Sequence, residues 1–332
     1  MTVKTKQKTI LVTGGAGYIG SVLVASLLRF GFRVRVIDRL MHGGESLLGF
    51  LLHPNFEFIY GDICRPNDVD SALENIDSVV HLAAIVGDIA CQANPKLATK
   101  INKTASEMLC EKSARAGVRR FVFISTCSNY GKMGDGVSWV DETSSLAPVS
   151  LYAELKVGFE RFLLESVKNN FEPVCLRFAT AYGLSLRPRF DLTVNEFTRD
   201  LFLNRKLEIY GEQFWRPYCH TYDLAHACIL ALAADADKVA GEAFNVGNTN
   251  QNFRKKDLVQ MILKELPDRE KLVSYVSRDE DPRDYRVNCD KIHSTLGFEP
   301  TFEVANGISE IITGIKTGLI SDTDNPRYRN VE

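Results

Sequence analysis

The stretch that most constrains the fold is Thr13-Gly14-Gly15-Ala16-Gly17-Tyr18-Ile19-Gly20. The apolar, β-branched run Thr9 to Val12 enters it, and an apolar run from Tyr18 to Leu28 leaves it at helical spacing. The glycines therefore stand where a buried strand turns into a helix. Without Cβ atoms, Gly14 and Gly17 can make the tight turn and let the backbone approach a pyrophosphate, while Gly20 allows close packing of helix and strand. The phosphates would meet the free N–H groups and positive dipole end of the helix, at Tyr18 and Ile19.

A glycine turn alone decides little, since turns collect glycine for structural reasons. Here Arg33 to Ile37 reads as the next strand and ends in Asp38, where a ribose contact belongs. A carboxylate at that point accepts from a 2′-hydroxyl and repels a 2′-phosphate, which favours NAD over NADP. Arg39 beside it softens the choice.

The chain has 332 residues, enough for one large or two interlocked domains. Apolar residues at 45% and charged residues at 25% rule out a disordered or membrane-embedded composition. A net charge of −2 offers no attraction to nucleic acid or to a membrane surface. The eight cysteines include no C-x-x-C pair, so neither a metal site nor a disulfide framework is indicated, and most read as buried small hydrophobes. No apolar run approaches the roughly 20 residues that span a bilayer. Met1 to Lys8 is basic without a cleavable apolar segment, and is expected to be the frayed leader of a cytoplasmic protein.

Further along, Phe56 to Tyr60 reads as a third strand, followed by Asp62 and Ile63, which are placed to flank an adenine. Asp62 can equally cap the helix beginning near Pro66. A fourth strand, Ser78 to Leu82, ends in Ala83 and Ala84, small enough for a cofactor to come close to Leu82, Ala83 and Ala84. His81 within it reads as a core histidine. A long helix is expected from Lys96 to Ala116, stopped by Gly117, with the polar Asn102 inside it as a further cofactor candidate. The fifth strand, Arg120 to Ile124, runs into Ser125-Thr126-Cys127-Ser128, a hydroxyl cluster where an α/β sheet exposes chemistry or simply begins a polar loop.

The next helix opens with Tyr152-Ala153-Glu154-Leu155-Lys156, placing Tyr152 and Lys156 one turn apart on one face. A phenol is a poor base near neutrality, its ordinary pKa being about 10. An adjacent ammonium is expected to lower that value, giving a proton acceptor for a substrate hydroxyl that Thr126 also holds.

With the glycine turn, Asp38, the hydroxyl strand end, Tyr152, Lys156 and Leu176 to Gly183 in this order, the whole chain resembles the extended short-chain dehydrogenase/reductase family, the NAD-dependent sugar-nucleotide epimerases and dehydratases. The resemblance implies a Rossmann-type doubly wound parallel α/β sheet with a smaller, discontinuous α/β substrate domain. Residues 1–183 plus 239–251 would bind NAD, with Glu242 to Gly247 returning to the first sheet. Residues 184–238 plus 252–332 would bind the sugar nucleotide. The family's catalytic triad falls on Thr126, Tyr152 and Lys156. Its diphosphate-binding arginines fall on Arg216 and Arg278, with Arg189, Arg283 and Asn195 as further substrate candidates. Guanidinium groups suit phosphates as bidentate donors that stay charged. The tail from Asp322 is expected to be extended and partly disordered. A homodimer through the helices Pro95 to Ala116 and Tyr152 to Asn169 is the family expectation.

Family chemistry begins as Tyr152 takes a proton from a sugar hydroxyl, usually at C4, while that carbon gives hydride to NAD. The 4,6-dehydratases follow their threonine with an Asp-Glu pair for eliminating the 6-hydroxyl. This chain has Cys127 and Ser128 there, poor substitutes in proton transfer. Epimerisation is therefore the first expectation and net 4-dehydrogenation, as in the GDP-heptose 4-dehydrogenases, the second. Outside this class stand an NADPH-dependent carbonyl reductase, which calls for a basic residue at position 38, and a non-catalytic NAD-binding protein, in which the triad would have decayed.

Overall fold

The computed structural model describes residues 8–133, 138–168, 170–277 and 283–330. The expected leader through Gln7, the helix end at Asn169 and Arg278 lie outside the described residues.

Six parallel strands come first: β1 (Thr9–Thr13), β2 (Arg33–Asp38), β3 (Phe56–Tyr60), β4 (Ser78–His81), β5 (Arg120–Thr126) and β6 (Glu172–Phe178). The chain then leaves through β7 (Thr180–Tyr182), β8 (Leu207–Tyr210) and β9 (Trp215–His220), returns as β10 (Glu242–Val246), and leaves again through β11 (Asn252–Arg254) and β12 (Val273–Val276). The main sheet runs β10-β6-β5-β4-β1-β2-β3. Val12 of β1 lies between Val36 on one side and Val80 on the other. Successive strands move outward from β1 in opposite directions, so the crevice at the carboxyl ends of β1 and β4 is the topological switch point.

Period-two alternation along the buried strands feeds two core layers. Ile10 and Val12 pack with Leu23, Val24 and Leu27 of the Tyr18–Arg29 helix, while Leu11 turns to the other face with Val79, Phe121, Leu109 and Phe159. Leu224, Cys228 and Ala231 of the Thr221–Ala233 helix join the first layer. That helix, expected from sequence in the substrate half, packs over the main sheet, where its apolar residues find partners on the Tyr18–Arg29 helix. The smaller half has its own core, including Tyr182, Val194, Leu201, Leu258 and Ile308. Its strands form two small sheets, β11-β9-β7 and β12-β8.

The long helix is present but changes pitch. Pro95–Thr99 and Ser106–Arg115 are α-helical, and Lys100–Ala105 between them is a π-turn carrying Asn102. The tail departs further from expectation. Asp322 to Asn330 is fixed to the body: Phe190 N donates to Tyr328 O at 2.8 Å, Asn330 N donates to Asp191 Oδ2 at 3.0 Å, and Arg327 pairs with Glu45. Its own apolar content is low, but it meets acceptors and a ring already ordered by the body. Of the eight cysteines, all are free thiols and only Cys64 is not buried.

Candidate active site

The turn after β1 is built as a phosphate cradle. Gly14 has φ of +74°, and a Cβ there would lie 2.8 Å from Ala83 N. A Cβ on Gly20 would overlap the Gly14 carbonyl oxygen. Both positions therefore require glycine. At the end of β2, Asp38 accepts from Ala16 N at 3.0 Å and from Leu40 N at 2.8 Å. Burial raises its pKa and these backbone donors oppose the rise. Asp62 accepts from Cys64 N at 2.9 Å and meets Arg39 at 3.3 Å. It fixes the turn before the Pro66–Leu73 helix, whose N-cap is Arg65, and lines the cleft as well.

A cleft of about 390 Å³ joins these parts, and Gly14, Gly17, Tyr18, Ile19, Gly20, Asp38, Asp62, Ile63, Leu82, Ala83, Ala84, Thr126, Tyr152, Lys156, Arg189 and Arg283 all line it. A glycine turn opening onto a helix, with a carboxylate at the next strand end, fits the pyrophosphate and adenosine ribose of a dinucleotide.

Three candidates lie elsewhere. Asn102 sits behind the cleft wall, its amide bonded both ways to Ile85 at 2.8 Å and 2.8 Å. It shapes the loop after β4 and does not line the cleft. Asn195 is fully buried, with Oδ1 accepting from Gly183 N at 2.9 Å and Nδ2 donating to Gly183 O and Arg189 O. It is a joint between the halves, shared with Tyr18, whose hydroxyl donates to Gly183 O at 2.7 Å. Arg216 stands one layer back, its guanidinium 5.2 Å from the ring of Tyr285, which lines the cleft. Arg283 pairs with Asp88 at 2.7 Å, and Arg189 with Asp191 at 2.8 Å.

The Tyr152–Lys156 pair differs from expectation in its electrostatics. Lys156 Nζ donates to Ile124 O at 2.7 Å and lies 4.6 Å from the centre of the Phe123 ring. Burial brings its pKa down to about 8. Burial likewise pushes the Tyr152 phenol up, opposite to the expected depression, with the charge of Arg189 opposing the rise and that of Asp88 adding to it. His81 is the satisfied core histidine expected, bonded to Thr13 at 2.8 Å and Ser106 at 2.9 Å, with burial taking its pKa down to about 3.

Thr126 ends β5, and its Oγ1 accepts from Ser128 N at 3.1 Å. Beneath it, Glu160, two turns along from Tyr152 on the same helix, holds Ser125 Oγ at 2.6 Å and Arg177 at 2.6 Å. Arg177 in turn bonds Tyr130 at 2.9 Å, which donates to Asn245 at 2.7 Å. Cys127 faces away: its thiol is buried, donates to Arg177 O at 3.1 Å and is driven far up in pKa by that burial. Ser128 lines the cleft and accepts from Tyr285 Oη at 3.3 Å. Sequence reasoning missed Arg187, His42, Tyr285 and Asn330, which all line the cleft. Arg187 belongs to an Arg-Pro-Arg run, a basic signal that spacing alone does not assign.

Comparison with known proteins agrees with this geometry. The model of the NAD dependent epimerase/dehydratase family matches residues 10–247. A dTDP-glucose 4,6-dehydratase of Streptomyces niveus is 30% identical over 315 residues, covering 91% of each chain. A UDP-glucose 4-epimerase of Halalkalibacterium halodurans is 28% identical, covering 88% of this chain and 91% of its own. Among solved structures, the UDP-glucose 4-epimerase of Thermotoga maritima with UDP-glucose superposes with a TM-score of 0.83 at 28% identity, over 94% of this chain and 99% of that one. The dTDP-glucose 4,6-dehydratase of Streptomyces venezuelae, solved with NAD bound, gives 0.83 at 27% identity, over 93% and 97%. Among the described residues, no helix is long and apolar enough to cross a membrane.

Proposed function

The chain belongs to the NAD-dependent epimerase/dehydratase family, and on that premise we propose that it epimerises a nucleotide-diphosphate sugar at C4. One observation carries the choice within the family. Among the described residues lining the cleft, the only carboxylates are Asp38 and Asp62, both at the adenosine end. Eliminating water from a sugar needs an acid and a base beside the leaving hydroxyl. Thr126, Ser128, Lys156, Tyr285 and Arg283 line the cleft with Tyr152, and Asp88, whose charge acts on Tyr152, does not line it and is paired with Arg283 at 2.7 Å.

Gly14, Gly17, Tyr18, Ile19 and Gly20 would hold the pyrophosphate of NAD and Asp38 its adenosine ribose, and the coenzyme when bound would supply a reversible hydride acceptor for C4. Tyr152 accepts the proton of the C4 hydroxyl. Thr126, whose Oγ1 already meets Ser128 N, holds the same oxygen and fixes its direction. Lys156 supplies the charge that lets the Tyr152 oxygen hold and release that proton. Of the four arginines among the described residues that line the cleft, Arg283 and Arg189 are the two for the substrate diphosphate, with Arg216 placed behind Tyr285.

The test is to mix stoichiometric protein and NAD with UDP-, GDP-, CDP- and dTDP-sugars, following absorbance at 340 nm and the sugar by NMR. The expected result is a C4 epimer without lasting absorbance. Lasting absorbance with a keto sugar would replace the proposal by net 4-dehydrogenation, and loss of the 6-hydroxyl by dehydration.

A further inference from the structure

Among the described residues, Arg187 is a buried cation that makes no ion pair, although the charges of Asp191 and Asp38 act on it from further away. It is 6% exposed yet lines the cleft. Nη1 donates to Asn330 Oδ1 at 2.8 Å and Nη2 to the Arg329 carbonyl at 3.0 Å, both neutral acceptors. Its Nε is buried with no partner among the described residues. Arg189, by contrast, is neutralised by two bonds to Asp191, at 2.9 and 2.8 Å. A desolvated guanidinium left without a counter-ion is costly unless an anion completes it.

Its position indicates which anion. Arg187 is electrostatically coupled to Asp38 and to His42, whose pKa falls to about 4 through burial first and then through Arg187 and Arg189. Arg189 in turn lies 5.9 Å from the centre of the Tyr18 ring, in the first turn of the helix that follows the glycines. Arg187 thus lines the part of the cleft that Asp38, His42 and Tyr18 also line, where the glycine turn would hold a coenzyme diphosphate.

Both acceptors that orient Arg187 come from the C-terminal segment, which is anchored on each wall. On the substrate side, Asn330 N donates to Asp191 at 3.0 Å and Tyr328 meets Phe190 edge to face, 6.1 Å between ring centres. On the other side, Arg327 pairs with Glu45, in the 3-10 turn that follows the cleft-lining His42 and Gly43. We propose that Arg187 is a ligand of the coenzyme diphosphate, held in position by a strap, Pro326 to Asn330, that crosses the adenosine end of the cleft and must open for the coenzyme to leave. A strap of this kind suits chemistry in which one coenzyme molecule serves repeated turnovers, but the assignment depends only on NAD binding, not on the reaction.

The experiment is calorimetric titration of the full-length protein, stripped of nucleotide, with NAD, ADP, adenosine and NADP, together with stopped-flow measurement of NAD release. Arg187→Ala is expected to weaken NAD and ADP about 10- to 100-fold, the range for losing a charge-assisted bond, and to leave adenosine within about 2-fold. Asn330→Ala and Glu45→Gln, which alter only the strap's contacts, are expected to speed NAD release several-fold. Asn330→Asp, which would give Arg187 a carboxylate partner in place of the diphosphate, should weaken NAD and ADP towards the Arg187→Ala values. Circular dichroism checks the fold of each variant, and if Arg187→Ala does not fold, Arg187→Lys and the strap variants decide. The proposal is overturned if NAD and ADP bind undiminished, or if adenosine is weakened as much as ADP. It also fails if NADP suffers more than NAD, which would assign the arginine to a 2′-phosphate, or if both strap variants release NAD at the original rate. Because every readout is binding, these outcomes are separable from failure to find a sugar substrate.

Discussion

Lys156 Nζ lies 6.0 Å from the centre of the Tyr152 ring, and proton acceptance by Tyr152 beside a charged Lys156 requires the two residues together to hold one proton fewer than their fully protonated form. Burial raises the tyrosine and brings the lysine down to about 8. The pair therefore sheds its first proton near pH 8, and the singly deprotonated form includes the phenolate–ammonium arrangement that accepts a substrate proton. We expect kcat/KM to rise about tenfold per pH unit below pH 8 and to level above it, measured by a pH profile at saturating NAD. Tyr152→Phe should bind NAD as before by calorimetry yet lose turnover by about 100-fold or more. The lysine also carries a stability cost. Its pKa is about 8 folded against 10.5 unfolded, so the unfolded chain binds more protons between those values and stability rises with pH across that window. The rise is about 3 kcal/mol, the destabilisation being fully present below pH 8. Urea melts from pH 7 to pH 10.5 should show wild type gaining about that much relative to Lys156→Met.

The elements that carry these residues are aligned by a buried charge that has no part in the reaction. Glu160 fastens the Leu151–Glu165 helix to Ser125 on β5 and to Arg177 on β6, so its packing sets where Tyr152 and Lys156 stand relative to Thr126. Glu160→Ala leaves the Arg177 guanidinium buried without its carboxylate, and a loss of about 3–5 kcal/mol is expected, read by denaturant unfolding. Glu160→Gln should lose less, since it still offers Arg177 an acceptor. Such a network is invisible in sequence, because Glu160 follows ordinary helical spacing and Arg177 an apolar strand. What sequence does show is local: Gly14 and Gly20 at a strand-to-helix turn, Asp38 at the next strand end, and Tyr152 one helical turn from Lys156. Asn102 and Asn195 show the complementary limit, both being held by backbone groups. A polar residue near a site reads the same whether it meets a ligand or a backbone amide, and here both meet backbone. The tail was misread because its low apolar content says nothing of the acceptors it supplies to Arg187.

At the scale of the whole molecule, the large half offers a surface for a second copy of the chain. A groove between the Ser106–Arg115 and Leu151–Glu165 helices is lined by Cys110, Ala114, Phe162 and Phe171, with Glu111, Arg115, Glu165 and Lys168 also along it. Apolar side chains accompanied by charges of both signs suit a self-complementary contact, in which one copy's basic groups meet the other's acidic ones across a two-fold axis. We propose the homodimer expected from sequence on this basis. Its consequence reaches the site, because the same two helices carry Tyr152 and Lys156 on one and pack beside the Asn102 turn through the other. Light scattering should give about twice the 37.2 kDa chain mass. Phe162→Glu would place an unpaired carboxylate in the apolar part of the groove and should return the chain to monomer mass. Monomer mass for the unaltered protein at micromolar concentration would remove this proposal. A dimer that persists in Phe162→Glu would move the contact to another face.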